Sequence, residues 1–585
     1  MRPSRQPTEH NTHHGRDTQP RYRFCVIGGG LTATALLCQL VDKLNDMGDE
    51  GRRLGKGLRV EIFEKQEVIG PGLPHNKRFV LPFHITNMCA GDMTVRAARP
   101  ADFQQWVLHN KQTLAGFLYD PKEVFTGPGT DSTKCHHYPR AVMGEYLKSQ
   151  VQTAADMAEN LGMATVLHTG FEVTDILEEQ SKTYLACINH SGTLQTFGPF
   201  HGVLLATGHW FESADQQNYF SSPWPAAKLL EAIPTGAEIG VLGSSLSAIE
   251  VALTLTSDGH FSRQPTGELI YTPPRSPRKL TLYSRRGLLP RVRGRIGSRP
   301  NRYLSCERLQ RLVRNKPNQL RLSDLFELLD MELSAAYGYP VDWSKVLDPV
   351  EDPEHILRLD INKSQTGDGP GGELIWQTAL VEIYPVVREV YIHLSPDERQ
   401  RFERDFSTLF FSYAATQPAI NGEKLLALMQ AGVVSVVRLG RDYGFGRNET
   451  MGAFELSYED LQGERRRDTY RYVVNARGQP RSVASDKSEL TRNLLRRGLI
   501  KLEEPETGGA AHDVPSKTGS ILVDPDTHRV LPPGGPNTAP TSVDMFAVGA
   551  MTRGQIIDAS MAYGLARSTA TVADCLINRL GRVVD

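Results

Sequence analysis

The sequence predicts an α/β fold of the two-dinucleotide-binding, Rossmann-like kind, interrupted by a helical insertion. Three observations predict it. An apolar strand-like run turns into a helix through glycines at "RFCVIGGGLTATALLCQLV" (23–41), and the same layout returns at "IGVLGSSLSAIEVALTL" (239–255). A third strand–glycine–helix, "DMFAVGAMTRGQIIDASMAYGLARSTATVADCLI", lies near the end of the chain (544–577). Each segment alone is ordinary α/β packing; their order along one chain is hard to obtain by accident.

In the first turn each small residue has a physical reason. Gly28 permits the tight bend after the strand, Gly30 lets the backbone approach a pyrophosphate, and Ala33 allows close helix-to-strand packing, with Gly29 between them. The helix that follows presents free N–H groups and a positive dipole end to phosphates. The next strand, "LRVEIFEKQ", ends in Glu64, an acid able to accept hydrogen bonds from a ribose. It stands 36 residues after Gly28 rather than the usual ~20, and the polar, glycine-rich "NDMGDEGRRLGKG" (45–57) accounts for the added length. Further on, "GVLLATGHW" (202–210) is an apolar strand ending in Ala206, Thr207 and Gly208. In the last segment a strand runs into Gly549, and Ala562, Ala566 and Ala570 give the following helix a row of small residues for close approach.

The second turn departs from G-x-G-x-x-G. Gly243 keeps the bend and Ala248 suits helix packing, but Ser245 stands where the second glycine belongs. A side chain there narrows the backbone approach, although a serine is small and its hydroxyl can donate to a phosphate oxygen. The next strand, "RKLTLYSRRGLLPRVRGR", ends in Ser284, Arg285 and Arg286 with no acid at the ribose position. Arginine pairs with a 2′-phosphate that an acid would repel, which favours NADPH over NADH. The alternatives are NADH, a basic solvated edge, arginines serving an anionic substrate, or a turn that binds no nicotinamide.

Residues 311 to about 435 read as helical. "LSDLFELLDMEL" puts Leu322, Leu325, Phe326, Leu329 and Leu333 on one face, with Ser323 as the expected cap. "SPDERQRFERDFSTLFFSY" starts with Ser395 as N-cap, Pro396 at the first helical position and Glu398 closing a capping box. Phe402, Phe406, Leu409, Phe410 and Tyr413 follow at helical spacing and are expected in a core rather than in a substrate box. "RYVVNARGQP" (471–480) reads as the chain returning to the first domain.

With 585 residues the chain exceeds one ordinary core, and its net charge of −1 gives no general electrostatic reason to bind nucleic acid or an anionic membrane. No run of apolar residues reaches membrane-spanning length. The N-terminal stretch is polar and basic without an apolar core, which speaks against a secretory signal and for a disordered tail. The seven cysteines form no C-x-x-C, so the composition fits a reducing cytoplasm, and no metal site is expected.

Several further motifs carry a resemblance: "GPGLPHNKRFVLPFHITNMCAGDMTV", "YPRAVMGEYL", "LLATGH" and "YSRRGLLPRV", beside the three turns. Over roughly residues 22–580 the chain resembles the FAD/NAD(P)-binding flavoproteins of the uncharacterised bacterial type, distantly similar to flavin-dependent N-hydroxylating monooxygenases. The resemblance implies FAD held by Gly28, Gly30 and Ala33, with Glu64 on the adenosine ribose. Gly70, Pro71, Gly72, Asn87 and Met88 would lie near the flavin, and Arg140 near cofactor or substrate, unless Arg140 is an ordinary helix-start ion pair. Ala550 follows Gly549 where an aspartate is common in such proteins, and Asp558 is nearby. The implied organisation is a tail (1–20), a first FAD-binding part (21–235), an NAD(P)-binding domain (236–310), a mostly helical insertion placed as a substrate lid (311–465), and the C-terminal FAD-binding part (466–585). The implied activity is that of an FAD-dependent, NADPH-using oxidoreductase, a monooxygenase acting on a small molecule. A flavin oxidase or dehydrogenase without NADPH, and a non-catalytic FAD-binding redox sensor or partner subunit, are the alternatives. No catalytic acid or base is identifiable from spacing.

Overall fold

The computed structural model describes residues 21–114, 136–211, 215–347, 349–480, 482–503, 519–531 and 543–584. The N-terminal tail and Cys135 lie outside the described residues.

Ten strands build two five-stranded sheets. They are β1 (Tyr22–Ile27), β2 (Leu58–Glu64), β3 (Ala164–Thr169), β4 (Gly202–Leu205), β5 (Tyr219–Phe220), β6 (Glu238–Leu242), β7 (Lys279–Ser284), β8 (Val434–Arg438), β9 (Tyr472–Asn475) and β10 (Asp544–Ala547). The first sheet runs β10-β4-β1-β2-β3 and the second β5-β9-β6-β7-β8, with every pairing parallel. In each, the strand that enters the nucleotide turn is central. Parallel strands covered on both faces need continuous apolar runs. Phe24, Val26, Val60, Ile62 and Val203 to Leu205 supply them in the first sheet, and Ile239, Val241, Leu280, Leu282 and Val474 in the second; all are buried.

The helices that matter for the site are α1 (Leu31–Asp46), α2 (Arg140–Asn160), α3 (Leu246–Leu255), α4 (Leu322–Tyr337), α5 (Tyr384–Ile392) and α6 (Ala562–Val584). The last of these packs along α1, with Ala562 and Ala566 buried and Ala570 half-buried. Gln39 of α1 donates to the Ala566 carbonyl at 2.9 Å.

The second sheet is less continuous in sequence than expected. Residues 471–475 do not return to the first sheet: β9 pairs with β6, burying Val473 and Val474, so the second nucleotide fold ends after residue 475. The insertion also stops being helical before 465. β8 belongs to the second sheet, and Gly444–Asn448, Ala453–Glu459 and Arg465–Tyr470 form a three-stranded antiparallel sheet. The helical block therefore sits within the crossover from β7 to β8, which returns through helix Ala419–Gln430 packed on the second core. Helix α4 starts at Leu322, with the Asp324 carboxylate accepting the Arg321 N–H, so Ser323 is inside the helix and not its cap. Ser395 does cap its helix, its hydroxyl accepting the Glu398 N–H.

Cys25, Cys38, Cys187, Cys306 and Cys575 are free thiols, whereas Cys89 is disulfide-bonded. Among the described residues no helix is long and apolar enough to cross a membrane.

Candidate functional site: two matching nucleotide turns

The two turns are built alike, atom for atom along the backbone. Gly28 has φ +104° and Gly243 φ +119°, a region that L side chains rarely adopt. A Cβ on Gly28 would stand 2.3 Å from the Ala206 carbonyl oxygen, and one on Gly243 2.7 Å from that of Ala476. The Gly28 N–H donates to Phe63 O and the Gly243 N–H to Tyr283 O, at 2.8 and 2.7 Å. Ala206 N–H donates to Ile27 O and Ala476 N–H to Leu242 O, at 2.9 and 2.8 Å.

Ser245 fits this pattern. It is the N-cap of α3 with φ −91° and ψ −167°, close to the −83° and −157° of Gly30 at the N-cap of α1. At negative φ a side chain costs no backbone strain, and Ser245 is exposed. Neither cap residue uses a side chain to satisfy the first-turn N–H groups; in α3 the Ala248 N–H turns back to the Ser245 carbonyl at 2.9 Å, and the remaining donors and the dipole end are left for phosphates. The residue before it, Ser244, went unnoticed in the sequence. It is buried, and its hydroxyl lies 2.7 Å from the Ser284 hydroxyl and 2.5 Å from the Leu288 carbonyl, fixing the turn to the end of β7.

Around the first turn the other expected residues converge. The buried Glu64 carboxylate accepts the Gly29 N–H at 2.7 Å and the Gln66 N–H at 2.8 Å, and each oxygen keeps lone-pair capacity for a further donor. Gly70 N–H donates to Gly29 O at 2.6 Å, laying the 70–72 loop over the turn. A Cβ on Gly30 would lie 3.4 Å from Gly72 Cα, so the two glycines leave backbone facing backbone. Ala33 is buried beneath them, and Gly208 follows β4 with φ +73°. From far along the chain, Gly549 (φ +108°) sits against the same helix start: its Cβ would be 3.6 Å from Thr32 Oγ1. Asn87 is half-buried and makes no side-chain hydrogen bond among the described residues. The N-terminus of α1, the close Gly30–Gly72 backbone contact beside it and the acid at the end of β2 suit a dinucleotide with a pyrophosphate and a ribose.

At the second turn the two arginines part company. Arg285 is exposed, and its guanidinium makes no hydrogen bond or ion pair among the described residues. Arg286 instead donates to the carbonyls of Leu347 and Asp405, both at 2.7 Å, which ties β7 to the insertion. Arg286 and Arg438 nevertheless line a cavity of about 300 Å³ at the carboxyl ends of β7 and β8.

Arg140 is an ion-pair residue. From the start of α2 it donates to Glu250 of α3 at 2.6 Å, with both side chains largely buried, so it joins a helix of the first turn's region to the helix of the second turn. Burial raises the Glu250 carboxyl, against the pull of Arg140. Beside this pair His84 accepts the Leu81 N–H on Nδ1, which leaves its Nε2–H to donate to Thr254 at 2.9 Å. Burial and the Arg140 charge push His84 down to about 3, so it stays neutral. Asp558 is equally committed: buried, it pairs with Arg388 of α5 at 2.7 Å, and Arg388 also donates to the Gly564 carbonyl at 2.9 Å. Glu250 and His84 lie inside quoted motifs and Arg388 outside them, and no local spacing marks any of the three as a pairing residue. A signal for the matching exits did exist: Ala206-Thr207-Gly208 and Ala476-Arg477-Gly478 have the same spacing, with Gly208 and Gly478 both at positive φ.

A family model described as FAD-NAD(P)-binding matches residues 25–210. The uncharacterized protein YdhS of Escherichia coli strain K12 is 25% identical over 486 residues, which covers 78% of this chain and 83% of that protein. Two structures of the ornithine hydroxylase PvdA from Pseudomonas aeruginosa, one in its reduced form, match 96% of this chain and 99% of theirs at 12% identity, with TM-scores of 0.51 and 0.50. The family match is confined to residues 25–210, and the chain as a whole has the Rossmann-like α/β fold of that ornithine hydroxylase.

Proposed function

We propose that the protein is an FAD-dependent, NADPH-using oxidoreductase, a monooxygenase acting on a small molecule. The observation that carries this reading is the duplicated turn: a covered one at Gly28–Gly30 for FAD, and an open one at Gly243–Ser245 for NADPH. Bound FAD supplies hydride acceptance from NADPH and, once reduced, oxygen activation. The chain's own residues bind and orient. The first-turn N–H groups of α1 hold the pyrophosphate, Glu64 accepts from the ribose, and the 70–72 loop and the Gly549 segment close over the turn. At the second turn the α3 N-terminus and the Ser245 hydroxyl take phosphate oxygens, and Arg285, exposed and uncommitted, pairs with the 2′-phosphate. Arg140–Glu250 and His84–Thr254 fix the two domains to one another. The whole-length likeness to an ornithine hydroxylase supports oxygen insertion as the outcome.

Anaerobic mixing tests the proposal. NADPH is expected to bleach the flavin band faster than NADH, and Arg285→Ala to raise the NADPH concentration for half-maximal rate about tenfold or more, one charge-assisted contact being worth about 1.5–3 kcal/mol. A yellow protein that neither nucleotide bleaches, with or without candidate substrate, sinks the NADPH reading. A protein that cannot take up FAD sinks the whole of it.

A further inference from the structure

The aromatic residues of the insertion pack into a hydrophobic cluster, as expected, but they do not fill the space it encloses. Phe402, Phe406, Leu409, Phe410 and Tyr413 line a hollow of about 530 Å³, walled on the other side by α4 and α5. Protein interiors are close-packed, with few voids larger than a water molecule. A hollow of this size is in the range of small-molecule sites. Several of its apolar side chains, Leu325, Leu329, Trp376, Val387 and Phe410 among them, are only partly buried although they sit at the centre of a helical block. They face empty space that an apolar ligand would fill.

Three further features set this hollow apart from a packing defect. Its wall carries a π-helical turn at Phe402–Phe406, a form that costs backbone hydrogen-bond geometry and recurs at functional sites. Its ends differ in chemistry. Ser323, Glu327 and Arg401 are exposed, Arg401 lying 5.7 Å from the Phe406 ring centre and 3.7 Å from the Glu398 carboxylate, whereas Tyr391 and Ile557 are buried. Tyr391 also joins the hollow to the first nucleotide site: its hydroxyl is 2.9 Å from Glu403 and 3.1 Å from the Gly554 carbonyl, in the segment that follows Gly549.

We infer that this cavity binds the hydrocarbon chain of an amphipathic ligand, its polar end at the Glu327–Arg401 mouth and its chain running toward Ile557. At roughly 30 Å³ per carbon-sized group the volume takes a chain of about 18 carbons. The inference deepens the proposed function by naming an apolar substrate body, and it rests on that reading only for calling the ligand a substrate; binding itself does not depend on it.

Trp343 and Trp376 line the cavity, so binding reports itself. cis-Parinaric acid, a conjugated eighteen-carbon fatty acid, accepts energy from tryptophan. Added to the purified full-length protein, it is expected to quench tryptophan emission with micromolar affinity. Val387→Phe, from the α5 wall, and Leu325→Phe, from the α4 wall, each put a ring into the hollow and should weaken binding at least tenfold, with far-ultraviolet circular dichroism unchanged. Should one variant fail to fold, the other decides. Displacement by palmitate but not by hexadecanol assigns an anionic head to the Arg401 mouth; displacement by both assigns recognition to the chain alone, and either supports the cavity. Absence of quenching at tens of micromolar, or wild-type binding in the folded filled variants, overturns the inference. Bleaching by NADPH is read separately, so a failed cavity and a failed oxidoreductase reading give different results.

Discussion

Replacing Gly243 by alanine tests the second turn without touching the first. At φ +119° an L residue costs about 1–3 kcal/mol. Its Cβ would also stand 2.7 Å from the Ala476 carbonyl, with the Ala476 carbon at 2.9 Å and the Arg477 nitrogen at 3.1 Å. All three neighbours are backbone, so nothing flexible can yield; either β9 moves away from β6 or the turn leaves its phosphate-binding shape. With about 1.4 kcal/mol per tenfold, a cost of 1–3 kcal/mol borne by the turn predicts NADPH half-saturation raised about fivefold to a hundredfold in anaerobic bleaching. The FAD content should stay at the wild-type level, because Gly28 and its contacts are elsewhere. Gly28→Ala is the mirror experiment: at 2.3 Å the clash with Ala206 is tighter, and the expected loss is of FAD itself. Gly243→Ala protein with wild-type NADPH response and wild-type melting would refute the reasoning, since it would show that the turn neither needs its geometry nor serves a nucleotide.

Three other outcomes follow from buried charge. Asp558→Ala strands the Arg388 guanidinium in a buried site and is expected to cost about 3–5 kcal/mol by denaturant unfolding; a double-mutant cycle with Arg388→Ala should show that the two losses are not additive. Glu61 is a pH sensor of stability. Burial would raise its carboxyl, but hydrogen bonds from His168 and Arg23 and the charges of Arg23 and Arg59 bring it down to about 2 from an ordinary 4.5. The folded state thus holds this proton less well than the unfolded chain, so the contribution is complete above pH 4.5 and is lost as pH falls toward 2. It is worth about 3 kcal/mol, and Glu61→Gln should flatten that part of a pH–stability curve. His75 and His84 are pushed to about 3, and His137 to about 4, mainly by burial. Their neutral forms favour the folded state above pH 6.5, and melting temperature should begin to fall as pH drops below that value.

How much of this was legible depended on whether a residue acts through its neighbours in sequence or in space. Gly28, Gly30, Glu64 and Gly549 were readable because a strand–turn–helix dictates small residues at fixed offsets. Ser245 looked like a defect because the fingerprint asks for glycine, yet its φ of −91° asks only for a small side chain; Gly243, at +119°, is the position that tolerates no substitute. Arg285 and Arg286 are neighbours in sequence with opposite fates, one free at the end of β7 and one spent on carbonyls 61 and 119 residues away. β9 was misplaced because its parallel partner β6 lies more than two hundred residues upstream, and no local period encodes that pairing. Phe402 to Tyr413 do belong to a hydrophobic cluster, because helical spacing reveals which face turns inward. It does not reveal whether anything fills the space that face encloses.

The two turns also differ in cover, and that difference carries a last prediction. Over the first lies the 70–72 loop, bonded to Gly29 and brought to within 3.4 Å of a Cβ on Gly30, with Gly549 on the other side. Over the second stands an exposed serine hydroxyl. A cofactor reoxidised in place benefits from the first arrangement, and a nucleotide that must leave after each hydride transfer from the second. FAD is therefore expected to survive gel filtration with the protein while NADP⁺ washes out. Gly72→Ala tests the cover directly. Its φ of +57° is accessible to an L residue at modest cost, but the added Cβ would stand 3.3 Å from Gly30 Cα and press the 70–72 loop away from the turn. The variant should fold, melt near the wild type and lose FAD on the column. If it keeps its flavin, the Gly30–Gly72 approach is only packing, and the pyrophosphate must be held from another side of the turn.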